Sequence, residues 1–355
     1  MIEIFAPARI CLFGDHQDYL GLPVIACAID RYIKLSAVEN KEKLLKIDLP
    51  DIGKERIIPI VEPFISINVK DYFVKALEVL KEYDCIPNMG YDIIISGDIP
   101  INAGLSSSSA IIVVWTTFLL KTFGEHIDIT SELIAKLTYR IEVLEFNSPG
   151  GLMDQYSISI GNTIFLNTVS GEYKRLNKPK MSLIIGESGV AKKTLSVLKN
   201  LREFAQDAIS VVQSHHPNFN IETSERDDYY KYYNLLSDEL QPIFYAAIKN
   251  YHITKNAYNE LKKVRFDVEL IGKLMNEHHN ELKNNLKITV PIIDDMIHGA
   301  IRNGALGAKI VGSGGGGCIV AISTSENESK VIQGIIDSGA KAAYKVNISK
   351  GISVI

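Results

Sequence analysis

Four short stretches of the chain concentrate residue types that can do chemistry. The first, Gly104-Leu105-Ser106-Ser107-Ser108-Ser109-Ala110, sets a glycine and four serines at the mouth of the apolar run Ile111 to Leu120. A glycine-bearing loop that enters a helix offers free backbone N–H groups and the positive end of the helix dipole. Serine hydroxyls add donors suited to phosphate oxygens, and one can also take a place on Mg²⁺, which prefers oxygen ligands and retains waters. Capping the helix would need one serine only. The stretch is not the common P-loop, because no Lys-Ser or Lys-Thr follows the glycine and no GxGxxG follows the preceding strand.

The second stretch is Gly312 to Cys318, "GSGGGGC", between the apolar flanks "AKIV" and "CIVAIS". These flanks make the glycines a turn between paired strands, where another backbone or a ligand comes close. Structural turn and functional loop remain equal readings of it. The third is "NSPGGLMDQYSIS", with Asp154 just past a Pro-Gly-Gly bend. Taken alone, such an acid is more commonly an exposed turn residue. The fourth, "APARICLFGDHQDYLG", places Arg9, Asp15, His16 and Asp18 between apolar neighbours. Two close carboxylates suit a ligand with adjacent hydroxyls, since each ionised carboxylate accepts several hydrogen bonds. A solvated turn is the alternative.

The elements around these stretches alternate. "YDIIIS" (Tyr91 to Ser96) reads as a strand, the loop "GDIPINAG" follows, and a helix runs from Ser107 to Lys121, stopped by Gly124. A second amphipathic helix spans Ser131 to Phe146, with Thr130 or Ser131 as N-cap. Thr194 to Leu286 is long, charged and helical in pattern, and "GAKIVGSGGGGCIVAIS" returns to strand, turn and strand. The expected class is α/β or α+β, in two domains divided near residue 180 (1–180 and 181–355).

Composition narrows the function. The 355 residues are 46% apolar and carry a formal charge of −4 with pI near 6.1, without a long basic cluster. Nucleic acid and anionic membrane are therefore poor partners. The N-terminus has an acid and a proline where a secretory signal needs a basic start, and no window reaches about 18 uninterrupted apolar residues, so a cytoplasmic protein is expected. Cys11, Cys27, Cys85 and Cys318 include no CxxC pair and read as reduced, buried thiols. The pairs His215-His216 and His278-His279 read as surface or helix-packing histidines, because adjacent helical side chains diverge by about 100° and do not easily face one ion together.

Taken in order, the four stretches resemble the GHMP kinase family, over nearly the whole length. Pro100-x3-Gly104 to Ala110 resembles the family's ATP-binding loop, and Lys309 to Cys318 its C-terminal glycine motif, with Gly314 and Gly315 as nucleotide contacts. "LMNEHHNELKNN" resembles a family helix, with His279 at the usual histidine position. The resemblance implies an α+β GHMP fold: an N-terminal α+β domain with a left-handed βαβ crossover and a C-terminal ferredoxin-like α+β domain. "APARICLFGDHQDY" and "GGLMDQ" are similar to galactokinase motifs, and the Asp18-Tyr19 pair favours a sugar over mevalonate.

Carried over by position, Arg9 and Asp154 are the catalytic pair, and Asp15, His16 and Asp18 contact the sugar. Gly104, Leu105, Ser106, Ser107, Ser108, Ser109 and Ala110 cradle ATP, while Ser107 and Glu142 hold Mg²⁺, with Glu145 a rival for the carboxylate. Departures from the galactokinase pattern, such as Asp15 for Glu and Cys11 for Asn, leave another aldose, a uronic acid or a heptose as acceptor. The implied reaction transfers the γ-phosphoryl group of MgATP to a sugar hydroxyl, with the anomeric one favoured, in a monomer or homodimer. The alternatives are a mevalonate- or homoserine-type kinase and a non-catalytic sugar sensor.

Overall fold

A computed structural model describes residues 1–177, 181–191 and 194–355; the expected division at residue 180 lies outside the described residues. The strands are β1 (Ile2–Phe13), β2 (Val24–Asn40), β3 (Leu44–Leu49), β4 (Lys54–Pro59), β5 (Gly90–Gly97), β6 (Thr163–Leu166), β7 (Tyr173–Arg175), β8 (Ser182–Glu187), β9 (Gly307–Ile310), β10 (Cys318–Ser323), β11 (Ala342–Val346) and β12 (Ser353–Val354). Among the described residues they form two sheets. One has the order β12-β1-β2-β5-β3-β4, with β6 on β2 and β7 on β6; the other has the order β11-β8-β10-β9.

The helices are α1 (Tyr72–Lys81), α2 (Ser107–Phe123), α3 (Ser131–Tyr139), α4 (Met153–Ile160), α5 (Thr194–His215), α6 (Tyr229–Tyr232), α7 (Leu240–Leu261), α8 (Val268–Asn284), α9 (Pro291–Arg302) and α10 (Glu328–Asp337). In the second sheet, α5 to α9 lie between β8 and β9 in the chain, and α10 between β10 and β11. With all its pairs antiparallel, this is the ferredoxin-like arrangement. In the first sheet β3 and β5 are parallel, so the chain crosses over between them through β4 and α1.

α2 is apolar on all sides, which suits a helix in the interior rather than one at the surface. Trp115, Phe118 and Leu119 are fully or nearly fully buried, and α2 packs on β1 and β2. β1 is correspondingly buried from Ala6 to Phe13. Two features tie the sheets together. β12 pairs with β1, returning the chain's end to the first sheet, and Asn347 donates through its backbone and side-chain nitrogens to Asp30 at 2.7 and 2.8 Å.

The helix expected to run unbroken from Ser131 to Phe146 changes pitch instead. It is α-helical to Tyr139 and then makes a π-type turn over Arg140–Leu144, in which Arg140 O accepts from Glu145 N at 3.0 Å. Such turns widen a helix by one residue and swing its side chains. Thr130 is the N-cap, its side chain accepting from Leu133 N. All four cysteines are buried, and among the described residues none is in a disulfide.

Candidate active site

β1 carries Arg9 to the wall of a cavity of about 260 Å³. Its guanidinium meets Asp154 as a fork: Nε donates to Oδ1 at 2.7 Å and Nη2 to Oδ2 at 2.9 Å. Nη1 donates to the carbonyl of Gly104 at 2.5 Å, so one side chain joins β1, the glycine-serine loop and α4. Burial works against the Arg9 charge, yet Asp154 outweighs it and holds the Arg9 pKa above its ordinary value. Asp154 stands in the first turn of α4, where the helix dipole favours an anion.

The glycine-serine loop is shaped by two left-handed residues. Gly104 has φ +90°, and a Cβ there would lie 2.7 Å from Val311 O, so the second glycine run packs directly under the first. Ser106 has φ +62°, a conformation uncommon for a residue with a side chain. It occupies the N-cap of α2 without capping; its Oγ donates to Asp154 Oδ2 at 2.5 Å. The N–H groups that open α2 therefore lack a side-chain cap and suit an anion at the helix end.

Glu142, on the π-type turn, accepts from Ser109 Oγ at 2.9 Å and from Gln155 Nε2 at 2.6 Å. Burial, against the two hydrogen bonds and with help from the Asp154 charge, raises its pKa to about 7. A carboxylate that is costly to ionise alone, beside serine hydroxyls and a helix N-terminus, fits a hard divalent cation that also takes phosphate oxygens. Ser109 makes this contact. Ser107, the serine expected there, is half-buried and does not line the cavity. Glu145 is turned away too, paired with Arg140 at 2.8 Å.

The loop between β1 and β2 forms the opposite wall with His16, Asp18 and Tyr19. His16 has φ +63°; its Nδ1 pairs with Tyr19 Oη at 3.1 Å, and its buried Nε2 has no partner among the described residues. Burial lowers the His16 pKa to about 4, so the ring is neutral. Burial and then the Asp154 charge raise Asp18 to about 7. Gly151 packs closely on Asp18: a Cβ there would stand 2.3 Å from Asp18 Oδ2, so the Asp18 side chain would have to move.

Asp15 behaves differently. Its Oδ2 accepts from Lys309 Nζ at 2.5 Å and its Oδ1 from the Gly312 N–H at 3.0 Å, while Lys309 also donates to Cys11 O. It touches the cavity edge but spends both oxygens joining the two sheets. Gly314 and Gly315 also lie away from the cavity, against Ile288, whose carbonyl accepts from Gly315 N at 2.7 Å; Gly312 and Ser313 face it instead. Leu105 and Ala110 are buried supports, and Ser108 is exposed at the cavity rim. Beyond the rim an apolar slot of about 170 Å³ lies between Ile52, Phe73, Ile111 and Trp115, with Tyr72 and Ser108 lining both spaces.

Residues 71–162 match the GHMP kinases N terminal domain, 258–341 the GHMP kinases C terminal domain, and 2–37 the galactokinase galactose-binding signature. The chain belongs to the GHMP kinase family. Among its relatives, a mevalonate kinase of Thermococcus gammatolerans is 27% identical over 343 residues, covering 94% of this chain and 92% of the relative. A galactokinase of Bacillus subtilis is also 27% identical, over 348 residues, covering 94% and 87%. In structure, Lactococcus lactis galactokinase complexed with galactose superposes with a TM-score of 0.86 at 22% identity, over 99% of this chain and 95% of that one. Methanococcus jannaschii mevalonate kinase gives 0.69 at 21% identity, over 99% and 98%.

Several residues of this GHMP kinase site are given no role by the sequence reading. Lys309 is an apolar-flanked lysine whose partner is 294 positions away. Gln155 stood next to Asp154 in "GGLMDQ" and was readable as a polar neighbour of the acid. Lys70 and Tyr72 line the cavity without belonging to any motif, and Ser148 lines it from the start of the "NSPGGLMDQYSIS" stretch.

Proposed function

We propose that this GHMP kinase transfers the γ-phosphoryl group of ATP to a hydroxyl of a neutral monosaccharide, with Asp154 and Arg9 at the reacting centre. Residues 1–180 supply most of the site and 181–355 buttress its glycine loop. The observation that carries the reading is the Arg9–Asp154 fork, in one cavity with the serines that open α2 and with the polar side chains of His16, Asp18 and Tyr19. Asp154 orients the acceptor hydroxyl and accepts its proton, while Arg9 offsets charge between acceptor oxygen and phosphoryl group. The N–H groups of α2 and the serines receive the phosphates, and the apolar slot beyond Ser108 receives the base. Glu142 and a serine hydroxyl would hold Mg²⁺, which neutralises phosphate charge when bound.

Charge supports a neutral acceptor. Among the described residues lining the cavity the cations are Arg9 and Lys70; Arg9 is bound to Asp154, and Lys70 stands beside Ser148, whereas the opposite wall presents neutral His16 and Asp18. An acceptor carboxylate would meet acids there, whereas sugar hydroxyls can donate to them. This also weighs against a uronic acid. The mevalonate kinase relatives support a second reading, an anionic branched acceptor. A sugar sensor is disfavoured by the intact set of Arg9, Glu142 and Asp154.

The test is ADP release by purified protein with MgATP against neutral aldoses, heptoses, uronic acids and mevalonate. Turnover on a neutral sugar is expected, at the anomeric hydroxyl. Turnover on mevalonate alone would replace this reading with the second, and sugar binding without ADP release would make the protein a sensor.

A further inference from the structure

Lys70 lies two residues before Tyr72, in the segment that enters α1. That segment is anchored. The carboxylate of Asp71, N-cap of α1, accepts from Val74 N at 3.2 Å, Ile67 N at 3.2 Å and Arg56 Nη2 at 3.0 Å, and Arg56 Nη2 also reaches Ile65 O at 3.0 Å. Lys70 is thus presented from a fixed backbone. Its Nζ donates to Ser148 Oγ at 3.0 Å, and Ser148 is held in turn by its N–H on Val143 O at 2.9 Å, beside the π-type turn that carries Glu142.

Charge accounting singles this lysine out. Arg9 is committed to Asp154 and Lys309 to Asp15, while Lys70 has a neutral hydroxyl as its partner and no carboxylate partner among the described residues. It lines the cavity together with Glu142 and with Tyr72, which also lines the apolar slot, and Ser148 links it to Val143, the residue after Glu142. A chain of phosphates running from the slot to Asp154 would pass it.

We propose that Lys70 is a phosphate-binding residue of the nucleotide site, its ammonium contacting non-bridging oxygens of the polyphosphate and Ser148 keeping it aimed there. This rests on the kinase reading above. Lysine acts here as a mobile point charge that supplements the fixed N–H groups of α2. A lysine directed at the acceptor would instead change acceptor affinity.

Calorimetry on the full chain separates the possibilities, with MgADP and adenosine as probes for wild type, Lys70→Met and Lys70→Arg. The expected result is MgADP binding weakened about 10-fold or more in Lys70→Met, as for loss of a charge-assisted contact. Adenosine affinity should stay unchanged, and Lys70→Arg should recover part of the loss. Equal weakening of adenosine and MgADP would mean a distorted base slot and overturn the proposal, as would unchanged MgADP binding or an effect confined to the acceptor KM. Failure of the wild type to bind MgADP would overturn the kinase reading itself, so the two failures are distinguishable.

Discussion

Asp154 is held at the cavity wall by Arg9 on both oxygens and by Ser106 on one. An amide in its place would set an NH₂ group against these donors and lose the carboxylate proposed to accept the substrate proton. Asp154→Asn should lower kcat by about 10²–10⁴-fold, the usual worth of positioned proton transfer, with MgADP affinity nearly unchanged by calorimetry. Near-normal turnover would remove Asp154 from the chemistry. Asp18 carries a separate, pH-dependent signature. Its pKa rises from 3.8 to about 7 on folding, so between those values the folded chain binds more protons than the unfolded one. The stability linked to this group is present at low pH and is lost as pH rises through that window. Asp18→Asn should flatten that decline and raise the melting temperature most above pH 7, read from melts across the pH range. An identical pH profile in the variant would show that Asp18 is solvated.

At the scale of elements, the serine run divides its labour by helical position. Ser106 leaves the helix to serve Asp154, Ser109 bonds to Glu142, Ser108 lines the cavity and the apolar slot, and Ser107 lines neither. The sequence shows that four serines open a helix, but it does not show which phase they adopt. That phase is set by Gly104 and Ser106 in left-handed conformations and by packing against Val311. Ser109→Ala should weaken the Mg²⁺ dependence of nucleotide binding by about 10-fold, since it removes a hydroxyl beside a buried carboxylate, whereas Ser107→Ala should have little effect. Titrating Mg²⁺ at fixed ADP checks this, and the reverse ranking would return the cation to Ser107. The π-type turn was similarly invisible: Ser131 to Phe146 has ordinary amphipathic periodicity, and only tertiary contacts around Glu142 and Arg140 reveal the change of pitch.

At the scale of the molecule, what was legible is what motifs and periodicity encode locally: the strand before the serine loop, α2 and its Gly124 stop, the strand pair around the second glycine run, and the Arg9 and Asp154 pairing by family resemblance. What was not legible depends on long-range partners. Asp15 read as a ligand contact, yet it binds Lys309 and the Gly312 N–H, joining the loop after β1 to the glycine run of the second sheet. Lys309 outweighs the effect of burial and keeps the Asp15 pKa below the ordinary carboxylate value. Both side chains are essentially inaccessible to water, so removing one charge strands the other. Asp15→Asn and Lys309→Met should each cost about 3–5 kcal/mol in denaturant unfolding, and the double variant should cost clearly less than their sum. Because both Asp15 oxygens are bonded to the second sheet while Asp15 edges the cavity, the double variant should raise the acceptor KM more than it lowers kcat. Single variants costing under about 1 kcal/mol, as exposed pairs do, would show that the bridge is hydrated and that Asp15 is available to the acceptor after all.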